Sequence, residues 1–337
     1  MTHTLEQVHI RAYEDGDEPA VLDLLKTTLG EGPTGERTTE FFRWKHRDSA
    51  FGPSFMLVAE IGGAIVGLRA FMRWRFRSSG TILHGVTAVD TATHPDHQGR
   101  GIFSSLTKRA LGDLAGEIDF VFNTPNEKSL PGYLKMGWRR VGRVPVHVRI
   151  KDPRGLLRAV AARGAAPPAV PIVDAEPVAA HVSELAGSTL LEQGAVGRRI
   201  ATDRSLDYLR WRYVDAPGLD YRAVAGSASG RMEGLGVFRV RPRGAAWEAT
   251  VTELIVRPGD ARAARRVLRA IGRAARVDHL TCHFPAGTTA ARAAAACGYV
   301  RTPRGITFVV NPLNRDIDPD PTELSSWALT LGDLEVF

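Results

Sequence analysis

The sequence predicts an α/β (α+β) protein built from two similar halves, and three observations lead to this prediction. Short strand-like apolar runs follow one another between segments whose apolar residues recur every three or four positions, which is typical of helices. A glycine-rich turn at residues 98–103 joins one such strand to one such helix. The segment Thr39–His46 is echoed by Leu206–Tyr213, with Trp44 and Trp211 at matching places.

Local patterns predict the elements of the first half in chain order. Acidic residues and Pro19 within residues 15–19 start a helix whose apolar face carries Val21 and Leu25. Gly62 and Gly63 form a hairpin turn between two strands. The predicted strands cover residues 8–12, 55–60, 64–76, 81–93 and 120–122, and the predicted helices start at residues 15, 39, 102 and 129.

The turn at residues 98–103 has the chemistry of an anion-binding socket. The first N–H groups of a helix lack partners inside the helix, and the helix dipole adds partial positive charge there. Gly99 and Gly101 carry no Cβ that would keep a ligand away from these amides, and Arg100 adds a full charge. The turn is therefore predicted to bind a pyrophosphate. It is not a Walker loop, and Ser104 stands where a dinucleotide fingerprint would need its third glycine.

The turn resembles motif A of the GNAT (GCN5-related N-acetyltransferase) superfamily, [Q/R]-x-x-G-x-[G/A]. Gln98 and Gly101 match the motif, and Phe103 replaces its last small residue. The family commonly continues with an Asn, a Tyr seven residues later, and then a Gly followed by an aromatic residue. These four positions are held here by Asn126, Tyr133, Gly137 and Trp138.

The resemblance implies two tandem GNAT-like domains, each a mixed central sheet flanked by helices, with acetyl-CoA as the acyl donor. The strand before the turn would hold the pantetheine arm and polarise the thioester carbonyl through the backbone of Thr91, Ala92 and Thr93. Asn126 matches the family residue that bonds the arm, and Tyr133 matches the general acid that protonates the departing thiolate. The residues that would bind the pyrophosphate are Gln98, Gly99, Arg100, Gly101, Ile102, Phe103 and Ser104.

The general base is left open between three residues. Many family members use a Glu on the strand before the turn, and Thr87 holds that position here. Asp90 and His84 lie on the same strand, but strand alternation places both on the face opposite Thr87 unless a bulge intervenes. The tandem layout is similar to the enhanced-intracellular-survival type of acetyltransferase, without the third domain of that type. In that type the C-terminal carboxylate lies in the active site, which makes Phe337 the third candidate.

The second half repeats the pattern but lacks the predicted socket. After Pro258, the matching turn has no glycine where Gly99 and Gly101 lie, and residues 292–296 hold no counterpart of Tyr133. Residues 327–331 alternate like a strand. We therefore expect a catalytic GNAT domain in residues 1–150, a linker in residues 151–171, a degenerate GNAT-like domain in residues 172–312 and a C-terminal tail in residues 313–337.

Composition and charge limit the partners that this chain can have. The 337 residues carry a formal net charge of +7, which favours anionic partners such as CoA. Much of the positive charge comes from arginines scattered through Ala/Arg-rich segments, which is typical of a solvated surface, so we expect no nucleic-acid partner. Cys282 and Cys297 have no metal-ligand spacing, so they are expected to be buried free thiols in a cytoplasmic protein without a metal. No apolar run reaches the ~18 residues of a membrane span.

The expected function is therefore that of a GNAT-family acyl-CoA N-acyltransferase. It would move the acetyl group of acetyl-CoA to a primary amine of a small molecule, such as an amino sugar or an antibiotic. Two alternatives stay open, a protein lysine or N-terminal acetyltransferase and a non-catalytic CoA-binding sensor or scaffold. Phe103 and the lack of an evident base favour the sensor, whereas the joint presence of Gln98, Gly101, Asn126 and Tyr133 favours the enzyme.

Overall fold

The structure is a computed structural model that describes residues 7–32, 37–155, 157, 169–191, 197–228, 230–314 and 316–334. Its first half follows the predicted order of elements. The strands are β1 (His9–Ala12), β2 (Phe55–Ile61), β3 (Ala64–Ser78), β4 (Thr81–Thr93), β5 (Phe120–Asn123) and β6 (Arg139–Ile150). The helices are α1 (Glu18–Leu29), α2 (Thr39–His46), α3 (Ile102–Asp113) and α4 (Leu130–Lys135).

The second half presents a closely similar order. Its strands are β7 (Glu176–Pro177), β8 (Ala201–Thr202), β9 (Tyr221–Ala228), β10 (Arg231–Arg243), β11 (Ala246–Val256), β12 (His279–Cys282) and β13 (Val300–Pro312). Its helices are α5 (Val182–Ala186), α6 (Leu206–Tyr213), α7 (Ala261–Ala274) and α8 (Thr289–Ala296), followed by α9 (Leu331–Leu334) in the tail. The α/β (α+β) class predicted from the sequence is confirmed.

One mixed sheet runs through both halves. Its strands neighbour each other in the order β1-β2-β3-β4-β5-β13-β6-β12-β11-β10-β9-β7, and β8 pairs with the end of β3. The pairs β4–β5 and β11–β12 are parallel, whereas β13 is antiparallel to both β5 and β6.

The last strand of each half is exchanged between the halves. β13 lies between β5 and β6, two strands of the first half, and β6 lies between β13 and β12, two strands of the second half. Each half therefore completes the sheet of the other half and leaves no strand edge at the junction. The domain limits drawn from the sequence stay a prediction, since each segment depends on the other for one strand.

Two equivalent helices meet at the junction and form a nearly symmetric contact. Trp44 of α2 donates its indole N–H to the carbonyl oxygen of Trp211 at 2.7 Å, and Trp211 of α6 donates to that of Trp44 at 2.9 Å. The two rings are stacked with centroids 5.4 Å apart. Thr38 and Ser205 cap these helices in the same way, by accepting a hydrogen bond from the amide three residues later. The echo seen in the sequence thus marks the contact between the halves.

The tail packs into the core at this junction, but not as a strand. The ring of Trp327 lies 5.0–6.3 Å from the rings of Phe76, Phe120, Phe122 and Phe308. Trp327 forms one isolated bridge with Ile200, and α9 begins four residues later. The expectation of a strand at residues 327–331 is therefore wrong, because the backbone pairing is limited to Ile200 and the chain turns into α9 at Leu331.

Both cysteines are buried free thiols, as expected. Within the described ranges, no helix combines the length and the apolar character that crossing a membrane requires.

Candidate active site

A cleft opens where two parallel strands of the first half separate. β4 pairs with β5 only from Gly85 to Thr87, opposite residues 120–122. Beyond Thr87, β4 continues to pair with β3 on its other side as far as Thr93. The backbone of Thr91, Ala92 and Thr93 therefore has β3 on one side and the opening on the other, which is where the sequence predicted it to hold an extended ligand.

The predicted socket lies at the end of this cleft. Gly99 and Gly101 have φ angles of 76° and 78°, a left-handed conformation that strongly favours glycine. A Cβ at either position would meet nothing within 4 Å, so backbone conformation rather than crowding requires glycine there. A cavity of about 310 Å³ is lined in part by Thr91, Thr93, Gln98 and Phe103.

The start of α3 is left open toward this cavity. Its N-cap residue Gly101 forms no side-chain capping bond, so the first amides of the helix stay available to an anion. Gln98 donates its side-chain amide to the carbonyl oxygen of Thr93 at 3.2 Å, which ties the turn to the strand. Arg100 lies 3.0 Å from the ring of His97 at the exposed rim.

The equivalent helix of the second half is closed. The carboxylate of Asp260 accepts a hydrogen bond from the amide of Ala263 at 2.8 Å and caps α7. A carboxylate at a helix N-terminus takes the place that a phosphate would need and repels it. The two halves thus share the strand–turn–helix geometry, but a side chain caps the helix start in the second half and none does so in the first.

Tyr133 lies on α4 beside the cleft and is 5% exposed. Its hydroxyl oxygen accepts a hydrogen bond from Nη1 of Arg69 at 3.1 Å. The rings of Phe103 and Trp138 contact it edge to face, with centroids at 5.9 and 5.1 Å. Phe103, which departs from the motif, therefore packs against the predicted general acid.

Asn126 supports the loop that leads to α4. Its carboxamide oxygen accepts hydrogen bonds from the amides of Lys128 and Ser129 at 3.0 and 2.9 Å. These bonds engage the carboxamide oxygen, and no hydrogen bond of the NH₂ group is seen among the described residues. The contact of Asn126 with a pantetheine arm stays a prediction.

Arg69 is a residue that the sequence analysis missed. It is fully buried on β3 and donates from Nη1 to the hydroxyls of both Thr91 and Tyr133. Its guanidinium carbon lies 4.4 Å from the ring centroid of Phe71 and 5.4 Å from that of Phe103. Its place in the apolar run of residues 64–72 was the available signal, because an arginine is almost never fully buried unless it is paired.

Asp90 lies at a bulge of β4, so the alternation of the strand is interrupted there, as the sequence analysis allowed. The pairing shifts between Leu68 and Ala70 of the opposite strand, and Asp90 has a φ angle of 40°. Its buried carboxylate lies 2.6 Å from Nζ of Lys45 and 2.9 Å from Nε2 of His46. Burial opposes ionisation, but these partners hold the pKa of Asp90 well below its usual range. Such a carboxylate is a weak proton acceptor.

The second half contains an equivalent buried cluster. Glu253 of β11 lies 2.7 Å from Arg204 and accepts a hydrogen bond from the hydroxyl of Tyr213 at 2.9 Å. Tyr213 ends α6 as His46 ends α2, and Glu253 matches Asp90 in the strand before the turn. Because the cluster recurs in the half whose socket is closed, its contacts indicate a role in stability.

The structure does not bring His84 to the socket cavity. His84 is exposed and lines a separate cleft of about 350 Å³ together with Glu117. No residue lines both this cleft and the socket cavity. Phe337 lies outside the described residues. Thr87, at the family's Glu position, is buried. Among the residues described, no group of three His, Cys, Asp or Glu side chains could hold a metal ion.

A comparison with protein families matches residues 9–141 to the model described as the acetyltransferase (GNAT) domain. This range contains the cleft, the socket and Tyr133. None of the curated proteins matches the chain in sequence.

Solved structures resemble the chain in fold over most of its length. A conserved protein of unknown function from Enterococcus faecalis V583 has a TM-score of 0.63 at 14% identity, covering 91% of this chain and 73% of its own. A GCN5-related N-acetyltransferase from Anabaena variabilis has a TM-score of 0.62 at 11% identity, with the same coverage of 91% and 73%. Eis1 from Mycobacterium abscessus has a TM-score of 0.55 at 15% identity, covering 91% and 74%. The fold is therefore shared with these proteins over most of the chain.

Proposed function

We propose that this chain, whose residues 9–141 match the acetyltransferase (GNAT) domain, is an acyl-CoA N-acyltransferase that moves the acetyl group of acetyl-CoA to a primary amine of a small molecule. The observation that carries the proposal is the combination of an uncapped helix start with a splayed strand pair that leads to a buried tyrosine hydroxyl. Amino sugars and aminoglycoside-like antibiotics are the first acceptors to test.

In the proposed binding mode, the amides after Gly99 and Gly101 hold the pyrophosphate of acetyl-CoA. The pantetheine arm lies along the free backbone edge of residues 91–93, with the amide of Asn126 beside it. A backbone N–H of this strand polarises the thioester carbonyl, since a fixed donor stabilises negative charge that develops on the oxygen. Two observations support this binding mode: β5 pairs with β4 only as far as Thr87, and no side chain caps the start of α3.

In the proposed reaction, the amine nitrogen attacks the carbonyl carbon of the thioester. The C–N bond forms, the C–S bond breaks, and the thiolate takes the proton of the Tyr133 hydroxyl. The proton that the amine nitrogen releases restores the phenol by way of water. Asp90 is not assigned a role as base, because its ion pairs keep its pKa well below the usual range.

The acid role of Tyr133 is tested with Tyr133→Phe, which removes only the hydroxyl. We expect kcat for acetyl transfer to fall by roughly 10²- to 10⁴-fold, the range for general acid–base catalysis, while the affinity for acetyl-CoA stays unchanged. Rates are followed as thiol release with a panel of amino sugars, aminoglycosides and lysine peptides. An unchanged kcat under conditions where chemistry limits the rate would exclude the role, and turnover of peptides alone would move the proposal to a protein acceptor.

The socket is tested with Gly101→Glu, which adds negative charge where the pyrophosphate would lie. Gly259→Glu is the matched control, because Gly259 has a similar φ angle of 87° and equally open surroundings in the turn of the second half. Calorimetry should detect no acetyl-CoA binding in the first variant and normal binding in the control. In the wild-type protein we expect one acetyl-CoA per chain, because Asp260 caps the second helix; a stoichiometry of two would contradict this.

A further inference from the structure

We propose that Arg69 is a positioning residue for the proton transfer from Tyr133, an inference that rests on the acid role proposed above. Nη1 of Arg69 donates to the Tyr133 oxygen at 3.1 Å. This bond occupies a lone pair of the hydroxyl, so the O–H hydrogen has to point away from the guanidinium. The contact thereby fixes which way the proton leaves.

The charge of Arg69 is not neutralised by the surrounding protein. Its side chain is 0% exposed, and it forms no ion pair with any carboxylate of the described residues. Nε and Nη2 lack hydrogen-bond partners within that same part of the chain. A buried charge without a counter-ion is costly, and costs of this kind concentrate at functional sites.

The reaction supplies the missing negative charge at the right place. When the thiolate takes the proton of Tyr133, a phenolate forms 3.1 Å from the guanidinium nitrogen. The attraction between the two is strong in a site walled by aromatic rings, where little water screens it. Arg69 therefore stabilises the state that follows proton transfer more than the state that precedes it, which is the requirement for lowering a barrier.

The second half provides an internal comparison. Arg69 stands two residues after Gly67, which is paired with Thr93 at the end of β4. In the second half Gly234 is paired with Val256 at the end of β11, and two residues later stands Gly236. A Cβ at Gly236 would meet Val267 at 2.5 Å, so that position cannot hold a side chain. The half without a counterpart of Tyr133 thus also lacks the arginine.

The test combines Arg69→Met with Tyr133→Phe in a double-mutant cycle. Met has a similar shape and no charge, so Arg69→Met should fold with a Tm equal to or above that of the wild-type protein, since a buried charge is often replaced by an apolar residue without loss of stability. Its kcat should fall roughly 10- to 100-fold, as expected when a hydrogen bond to a charged group is lost. In the Tyr133→Phe background the same change should lower kcat less than about twofold, because both residues act through one hydroxyl.

Arg69→Lys is the second variant, which keeps the charge in a shorter side chain. It should recover part of the kcat lost in Arg69→Met, with acetyl-CoA affinity alike in all variants. An Arg69→Met protein that fails to fold, or that loses kcat by the same factor in both backgrounds, would make Arg69 a structural residue and overturn the inference. If Tyr133→Phe alone leaves kcat unchanged, the proposed acid role fails first, and this outcome is distinguishable from the others.

Discussion

Replacing Asp90 by Asn separates a stabilising role from a catalytic one. The substitution removes the negative charge but keeps the shape, and it leaves Lys45, which is 2% exposed, beside a neutral amide. Removing one partner of a buried ion pair costs about 3–5 kcal/mol, because the other charge stays buried. The entropy of unfolding is ~2.1 cal/mol/K per residue, which gives about 0.7 kcal/mol/K for the 337 residues. Dividing the loss of stability by this entropy predicts that the Tm falls by roughly 4–7 °C.

The matched control is Glu253→Gln in the equivalent cluster of the second half. Arg204 keeps a second carboxylate, Asp333 at 2.8 Å, when Glu253 loses its charge. The loss of stability should therefore be smaller than for Asp90→Asn. Both variants are compared by differential scanning calorimetry with acetyl-CoA absent.

Activity is measured well below the Tm of both variants. A structural role predicts that Asp90→Asn lowers kcat less than about tenfold, whereas a general base would cost about 10²- to 10⁴-fold. The pH dependence of the stability gives a further check. The pKa of Asp90 is lowered from 3.8 in the folded protein, so its contribution to stability is present above pH 3.8 and is lost as the pH falls below it. A variant with an unchanged Tm and a kcat reduced by more than 100-fold would refute this reasoning.

The remaining predictions concern stability. Burial lowers the pKa of His283 from 6.5 to about 4, so the unfolded state binds this proton first as the pH falls. His283 should therefore account for about 2 kcal/mol of the stability that the wild-type protein loses between pH 7 and pH 5 in urea unfolding, and His283→Asn should lose about that much less over the same range. Trp44→Phe leaves the Trp211 carbonyl without its indole donor and should lower the free energy of unfolding by about 1–3 kcal/mol. The double variant Trp44→Phe/Trp211→Phe should lower it by less than the sum of the two single variants. A chain divided between residues 163 and 164 should give soluble protein only when both pieces are co-expressed, because β5 and β6 each neighbour β13; a first piece that is folded alone would contradict the exchange.

The features that could be predicted from the sequence are those that neighbouring residues decide. The turn at residues 98–103, the helix that follows it and the matching pair Thr39–His46 and Leu206–Tyr213 all depend on glycine conformations, capping side chains and apolar spacing within a few positions. Such preferences act through bonds between residues at most four apart, so the sequence displays them directly. The half that carries the socket could be recognised for the same reason.

The tertiary structure alone decided which distant groups meet. Arg69 and Tyr133 are 64 residues apart, and Lys45 and Asp90 are 45 apart; many other arginines, lysines and aspartates of the chain could have formed equivalent pairs. The bulge that redirects Asp90 and the exchange of β6 and β13 depend on how all the strands pair at once. These choices follow from burying the apolar faces of the whole sheet and leaving no edge at its centre. Only the folded chain as a whole meets that condition, so no single segment of the sequence determines it.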